Sequence, residues 1–420
     1  MQTQLAPEYQ GTPDGIAAEA ILRKCVHCGF CTATCPTYQL LGDELDGPRG
    51  RIYLMKQVLE GQAPTRKTQL HLDRCLTCRN CESTCPSGVE YGHLVDIGRK
   101  LVDAKVPRPA ADTVVRWALK EGLTSPLFGP AMRAGQLVRP LLPATLRSKV
   151  PARQQAGDWP ARTHPRRMLL LAGCVQPAMM PNINRATARV LDAAGIQTLV
   201  APAAGCCGAV KFHLNDQDGG KGQMRANIDA WWPFIDGTQH PVEAIVMNAS
   251  GCGVTVKEYG HILRHDPLYA GKAERVSALT RDLSELLPDL VQQLAGRVDA
   301  GRLAPGDTNG AAARLVFHPP CTLQHGQQLR GVIEQTLRAL GFDLQLPAQE
   351  SHLCCGSAGT YSVLQPQIAG QLRDRKLGHL NASSPAVIVS ANIGCITHLQ
   401  GGTDTPVRHW VELLDQALVG

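Results

Sequence analysis

Cys25-Val26-His27-Cys28-Gly29-Phe30-Cys31-Thr32-Ala33-Thr34-Cys35-Pro36 decides how the chain is read, because residues 75–86 repeat its cysteine spacing to the residue, ending in Cys85-Pro86. A run of three thiols two residues apart, then a fourth after three more and a proline, is the ligand run of a cubane [4Fe–4S] cluster. In two-cluster proteins the fourth thiol ligates the other cluster. The crossed assignment puts Cys25, Cys28, Cys31 and Cys85 on one cluster, and Cys75, Cys78, Cys81 and Cys35 on the other. Closely spaced thiolates wrap a tight loop round one cube face, and a proline without N–H fits the break that follows. Structural zinc also uses C-x2-C, but as two separated pairs, which leaves the third evenly spaced cysteine surplus.

Working outward, 420 residues are enough for two or three domains with their own cores. All sixteen cysteines fall into patterned groups, which points to metal ligation in a reducing compartment rather than to disulfides. Met1 to Pro13 has neither the basic nor the apolar region of a signal peptide. The best apolar run, Met168 to Ala172, is strand-sized, so a membrane span is not expected. These features lead to an expectation of a cytoplasmic protein, or a peripheral one on the cytoplasmic face of a membrane.

The formal charge of +6 is uneven: residues 99–167 hold 14 Lys/Arg against 4 Asp/Glu, a local +10, which leaves about −4 elsewhere. The same stretch holds nine prolines and Leu127, Phe128, Met132, Leu137, Val138, Leu141, Leu142 and Leu146. It reads as a basic connecting segment over 106–165, either lying against anionic lipid or an acidic partner or simply solvated. Nucleic acid is disfavoured, since stacking aromatics are scarce and no reader motif is present.

Residues 14–105 read as a helical two-cluster ferredoxin domain. Ile52, Met55 and Leu59 share one helical stripe ended by Gly61, and Tyr91, Leu94, Val95, Gly98, Leu101 and Val102 share another. From 168 onward the chain repeats itself: 167–174 matches 314–321, Cys206-Cys207-Gly208 matches Cys354-Cys355-Gly356, and 243–252 matches 385–395. Short β-rich runs alternate with helical stretches, which predicts two α/β lobes with parallel sheets, over 166–300 and 312–420. The expected fold class is therefore α plus α/β, with cysteines gathered just after strands.

Each lobe offers four thiols: Cys174, Cys206, Cys207 and Cys252, then Cys321, Cys354, Cys355 and Cys395. Gly208 and Gly356 would let the backbone turn closely over a bulky group. Three readings stand for each set: a further Fe–S centre, a redox-active thiol pair, or zinc or structural thiols. His318, His325, His352 and His398 lie near these cysteines, as extra ligands or proton donors or, as is commoner for a lone histidine beside a site, as orienting or satisfied polar groups, and none is assigned as a ligand.

Residues 25–31, Gly42 to Lys56, the two CCG repeats and Asn248-Ala249-Ser250-Gly251-Cys252-Gly253 together resemble the iron–sulfur subunits of glycolate oxidase, from about residue 14 to the end. A broader likeness extends to heterodisulfide-reductase-like proteins, lactate-utilisation proteins and the third subunit of anaerobic glycerol-3-phosphate dehydrogenase. Relatives of the heterodisulfide reductase type close each repeat with C-x2-C, whereas Ala249 and Asn392 stand here, so each repeat is one thiolate short. The resemblance implies an electron-carrying subunit of a membrane-associated glycolate dehydrogenase, taking electrons from a FAD subunit towards a quinone-type acceptor. It leaves as alternatives service to a lactate or glycerol-3-phosphate dehydrogenase, or a thiol/disulfide oxidoreductase. No nucleotide-binding G-x-G-x-x-G or P-loop is present, and no catalytic acid–base residue is assigned.

Overall fold

A computed structural model describes residues 1–143, 147, 150–303 and 313–419. The cysteine runs lie between the ends of six helices: α1 Pro13–Lys24, α2 Pro36–Leu41, α3 Pro48–Leu59, α4 Arg66–Asp73, α5 Asn80–Thr84 and α6 Tyr91–Lys105. Cys25 caps α1, and Pro36 opens α2 at the position where a missing N–H costs nothing. The two stripes read from the sequence meet here. Ile52, Met55 and Leu59 of α3 and Leu94, Val95 and Val102 of α6 are buried in one core, each side chain contributing roughly 1.5–3 kcal/mol. Gly98 permits the contact, since a Cβ there would stand 2.3 Å from Met55 Sδ.

The basic segment departs from the expectation of a proline-broken connector. It forms α7, Ala110–Thr124, and α8, Phe128–Leu137. Pro109 and Pro130 sit at the starts of these helices, where the ring is tolerated, so they punctuate the helices instead of preventing them. The segment's first part is tied to the body by ion pairs: Arg108 and Arg116 reach Asp73, Lys120 reaches Asp216 and Glu121 meets Lys211. Leu146 and residue 312 lie outside the described residues. No helix among those described is long and apolar enough to cross a membrane.

The two lobes share one topology. In the first, β1 Arg166–Leu170, β2 Ile196–Leu199, β3 Ala244–Met247 and β4 Thr280–Asp282 form a parallel sheet in the order β2-β1-β3-β4. In the second, β5 Leu315–Phe317, β6 Leu344–Gln345, β7 Val387–Ser390 and β8 Val407–His409 repeat it as β6-β5-β7-β8. The lobes also exchange contacts reciprocally. Helix Pro181–Ala193 of the first packs on Trp410–Ala417 of the second, and Leu283–Leu294 of the first packs on Val332–Ala339 of the second. One apolar core therefore runs through both, from Met168 and Ile183 to Phe317 and Trp410. The ferredoxin domain rests against both lobes, through Arg79 to Glu258 in the first and Ser83 to His325 in the second.

Candidate metal centres

The two cysteine loops of the ferredoxin domain share a backbone shape that sequence spacing alone does not reveal. His27 and Gly29 have φ of 59° and 87°, and their counterparts Thr77 and Arg79 have 51° and 60°. Left-handed conformations cost a residue with a Cβ roughly 1–2 kcal/mol, so both loops are held by their surroundings in a strained curl. Such curls turn backbone N–H groups inward, as a cradle for a negatively charged group; in the second loop Thr77 N–H donates to Cys75 Sγ at 3.4 Å. Two cavities lie inside the curls. One is lined by Cys25, Cys28, Cys31 and Cys85, with Cys81 at its edge, and the other by Cys35, Cys75, Cys78 and Cys81. Burial, reinforced by Cys25, pushes the Cys31 thiol up to about 11. Burial likewise raises Cys78 and Cys81, with neighbouring thiolates adding to it. Thiols this crowded and dry are poor anions on their own, and a cationic iron core is what makes their thiolates stable. The donor set, its curled cradle and its grouping by fours fit a pair of [4Fe–4S] clusters.

The surroundings of the two cavities differ in charge. Beside the second lies Arg51, 1% exposed, whose guanidinium donates to the His71 carbonyl at 2.7 Å and to Thr37 Oγ1 at 3.1 Å. Arg99 is also buried and donates to the Leu72 carbonyl at 2.8 Å and to Thr77 Oγ1 at 2.9 Å. Burial alone would raise the Cys75 thiol, but Arg51 and Arg99 outweigh it and hold the group below its ordinary value. Asp46, fully buried, accepts from Arg51, Arg74 and His71, so the acidic group next to His71 serves as an anchor for arginines. Three arginines against one carboxylate leave this side positive. The first cavity instead faces solvent: Cys28 is exposed, and Val26 and Phe30 beside it are 70% and 63% exposed.

In each lobe the four cysteines come together at the carboxyl edge of the sheet, as their positions after strands predict. In the first lobe the thiols of Cys174, Cys206, Cys207 and Cys252 lie in a line within electrostatic reach of one another, with Cys206 held low by Cys174 and Cys207. In the second, Cys321, Cys354, Cys355 and Cys395 form the same line, and burial and neighbouring thiols hold the first three high. The second lobe's set abuts the ferredoxin domain: the Cys78 thiol is within electrostatic reach of Cys321 and Cys354, and all three share an apolar cluster with Leu76 and Tyr361.

The close approach at the CCG glycines has another cause than a bulky group above them. Gly208 and Gly356 have φ of 93° and 89°, and a Cβ would meet the carbonyls of Gly220 and Ala369, on neighbouring helices. Of the nearby histidines, His325 bridges Ser83 Oγ (2.8 Å) and the His352 carbonyl (2.9 Å), and His398 faces the Ala369 carbonyl at 3.1 Å. Lys376, 2% exposed, lies near Cys321, Cys354 and Cys355. No spacing rule marks it, because a lysine on a helix otherwise reads as solvent-facing.

Comparison with known proteins agrees with this arrangement. The 4Fe-4S dicluster domain family matches residues 21–89, and the cysteine-rich domain family matches 168–257 and 315–400. The glycolate oxidase iron-sulfur subunit of Escherichia coli (strain K12) is 54% identical, over 100% of this chain and 99% of that protein. The probable glycolate oxidase iron-sulfur subunit of Bacillus subtilis (strain 168) is 29% identical, over 92% of this chain and 90% of its own. Lactate utilization protein A of Geobacillus kaustophilus (strain HTA426) is 28% identical and covers 59% of this chain. A dicluster ferredoxin domain joined to two cysteine-rich lobes, with identity running the full length, makes this an iron–sulfur electron-transfer subunit that belongs to the glycolate oxidase iron–sulfur subunit family.

Proposed function

We propose that the chain carries electrons from a FAD subunit that oxidises glycolate to glyoxylate, towards a quinone-type acceptor. In this reading Cys25, Cys28, Cys31 and Cys85 hold one [4Fe–4S] cluster, Cys35, Cys75, Cys78 and Cys81 hold the other, and each lobe's four cysteines hold a further Fe–S centre. Bound clusters supply one-electron carriers between two-electron flavin chemistry and the acceptor. The observation that carries the proposal is the order of the thiol sets. The exposed Cys28 edge, ringed by Val26 and Phe30, suits docking of the flavin subunit, and the buried Cys78 side leads to Cys321 and Cys354 in the second lobe. A cavity between the ferredoxin domain and the second lobe, bounded by Ser83, Leu329, Arg330 and His352, gives an acceptor access to that end.

The thiol/disulfide oxidoreductase alternative sits poorly with burial. Cys207, Cys354 and Cys355 are 3%, 4% and 0% exposed, whereas exchange needs an accessible sulfur. For location we propose peripheral attachment to the cytoplasmic face of the inner membrane. The support is the segment of α7, α8 and the turn that follows, which exposes Trp117, Leu127, Leu137 and Leu141 and carries Arg133 and Arg139.

The test is anaerobic co-purification with the flavin subunit, followed by addition of glycolate. Reduction of the iron–sulfur signals within the turnover time, slowed at least tenfold by Phe30→Asp, is the expected result. Signals that glycolate leaves oxidised while dithionite reduces them would overturn the reading.

A further inference from the structure

The two lobes superimpose in sequence at an offset of 147, which pairs His318 with Leu171. The backbone makes the same pairing: Leu171 N–H donates to Val246 of β3 at 3.2 Å, and His318 N–H donates to Val389 of β7 at 2.7 Å. The side chains have different fates. Leu171 joins an apolar cluster with Cys207. His318 is 0% exposed, and neither of its ring nitrogens has a hydrogen-bond partner.

A buried imidazole with both nitrogens unmet forfeits roughly 1–3 kcal/mol for each orphaned group, so the position calls for a further partner. What it faces supplies one. A ring nitrogen of His318 and the Sγ atoms of Cys355 and Cys395 all lie within 4.8 Å of one another, and all three residues are buried. Cys354 joins the line of thiols through Cys355, and Cys321 through Cys354. A neutral imidazole is the form that binds a metal.

We propose that His318 is a nitrogen ligand to iron in the second lobe, alongside Cys355 and Cys395. The inference rests on the reading that the lobes hold iron, and it makes their two centres unlike. The first lobe offers thiolates alone. The second offers thiolates and one neutral imidazole, standing in for the thiolate that position 392 lacks. Replacing a thiolate by a neutral ligand lowers the negative charge of an iron–sulfur centre and raises its potential. From the Cys-Cys pairs onward the offset is 148, so Lys376 stands where the first lobe has Ile228, and its charge acts in the same direction. The second lobe then becomes the place where electrons collect, next to the Cys78 side of the ferredoxin domain.

The experiment is pulsed EPR on the anaerobically purified full chain, labelled with ¹⁵N-histidine and reduced with dithionite. The expected result is a directly bound histidine nitrogen on one signal. That coupling is lost in His318→Leu, which copies the first lobe, and in His318→Cys. His318→Cys keeps the iron content of the wild type and moves the signal to lower potential. A labelled wild type without histidine coupling overturns the proposal even if no variant folds. So does a His318→Leu protein with unchanged coupling, iron and potential, or zinc found in place of iron. Only about eight irons per chain, all accounted for by residues 25–85, would instead overturn the underlying assignment of iron to the lobes.

Discussion

Arg51 and Arg99 show how single buried side chains distinguish two thiol sets whose cysteine spacing is the same. Both lie within reach of Cys75, and among the described residues no buried arginine lines the other cavity. A charge several ångströms away in a medium of effective dielectric about 20 contributes on the order of 2 kcal/mol, equivalent to roughly 50–100 mV. Arg51→Gln, or Arg99→Gln, is therefore expected to lower the midpoint of the Cys35/Cys75/Cys78/Cys81 centre by that amount and to move the other centre little. An EPR-monitored redox titration reads both in one sample, and equal shifts would contradict the assignment. The cysteines themselves are legible from spacing. Arg51 is not, because it lies beside an apolar helical stripe and sequence gives no sign that its guanidinium turns inward to Asp46. His318 is legible only as a histidine near a cysteine; what distinguishes it is the lack of any hydrogen-bond partner in a sealed site.

Among elements, the α5 end of the second cysteine loop is fastened to the first lobe by charge. Glu258 meets both Arg79 and His93, and His93 stacks on His261 at 3.9 Å. Burial would raise the Glu258 carboxyl, but His93 and Arg79 together bring it down to about 2. His93 is raised above its ordinary 6.5, its bond to Glu258 outweighing burial. A depressed acid contributes stability above its unfolded value of 4.5 and loses it as pH falls towards 2. A raised histidine contributes below 6.5 and loses it as pH rises through its folded value. His261, held down to about 4 by burial and by His93, adds a cost that grows as pH falls below 6.5, so docking should be tightest near pH 6.5. Glu258→Gln should weaken it by about 1–3 kcal/mol, read as faster hydrogen exchange in residues 76–93 and 250–262; unchanged exchange would refute the coupling. Strands of four or five residues such as β1 and β3 are visible in the sequence as apolar runs. β4, β6 and β8 are not, because two or three residues, one of them Arg281 or Arg408 in β4 and β8, carry no pattern of their own. α7 and α8 are hidden by prolines that turn out to open helices.

On the scale of the whole molecule, the repeat in the sequence becomes a pair of lobes that share one core, with the second lobe's thiols beside the ferredoxin domain. The proposed membrane attachment rests on the segment after α6: α7 is tied to the body by ion pairs, while the end of α8 and the turn after it expose Leu137 and Leu141, at 73% and 85%. Arg133→Glu combined with Arg139→Glu should release the protein from anionic vesicles at a lower salt concentration, and Leu141→Asp should do so regardless of salt; equal flotation of all variants would remove the membrane role. In the proposed function the wire runs through the lobes as well as through residues 25–85. The most direct measurement is iron and acid-labile sulfide per anaerobically purified chain, in the wild type and in Cys207→Ser and Cys355→Ser. The prediction is clearly more than the roughly eight irons of two cubanes, with each variant losing only its own lobe's share of the excess. Eight irons in all three proteins, or zinc without sulfide, would contradict it.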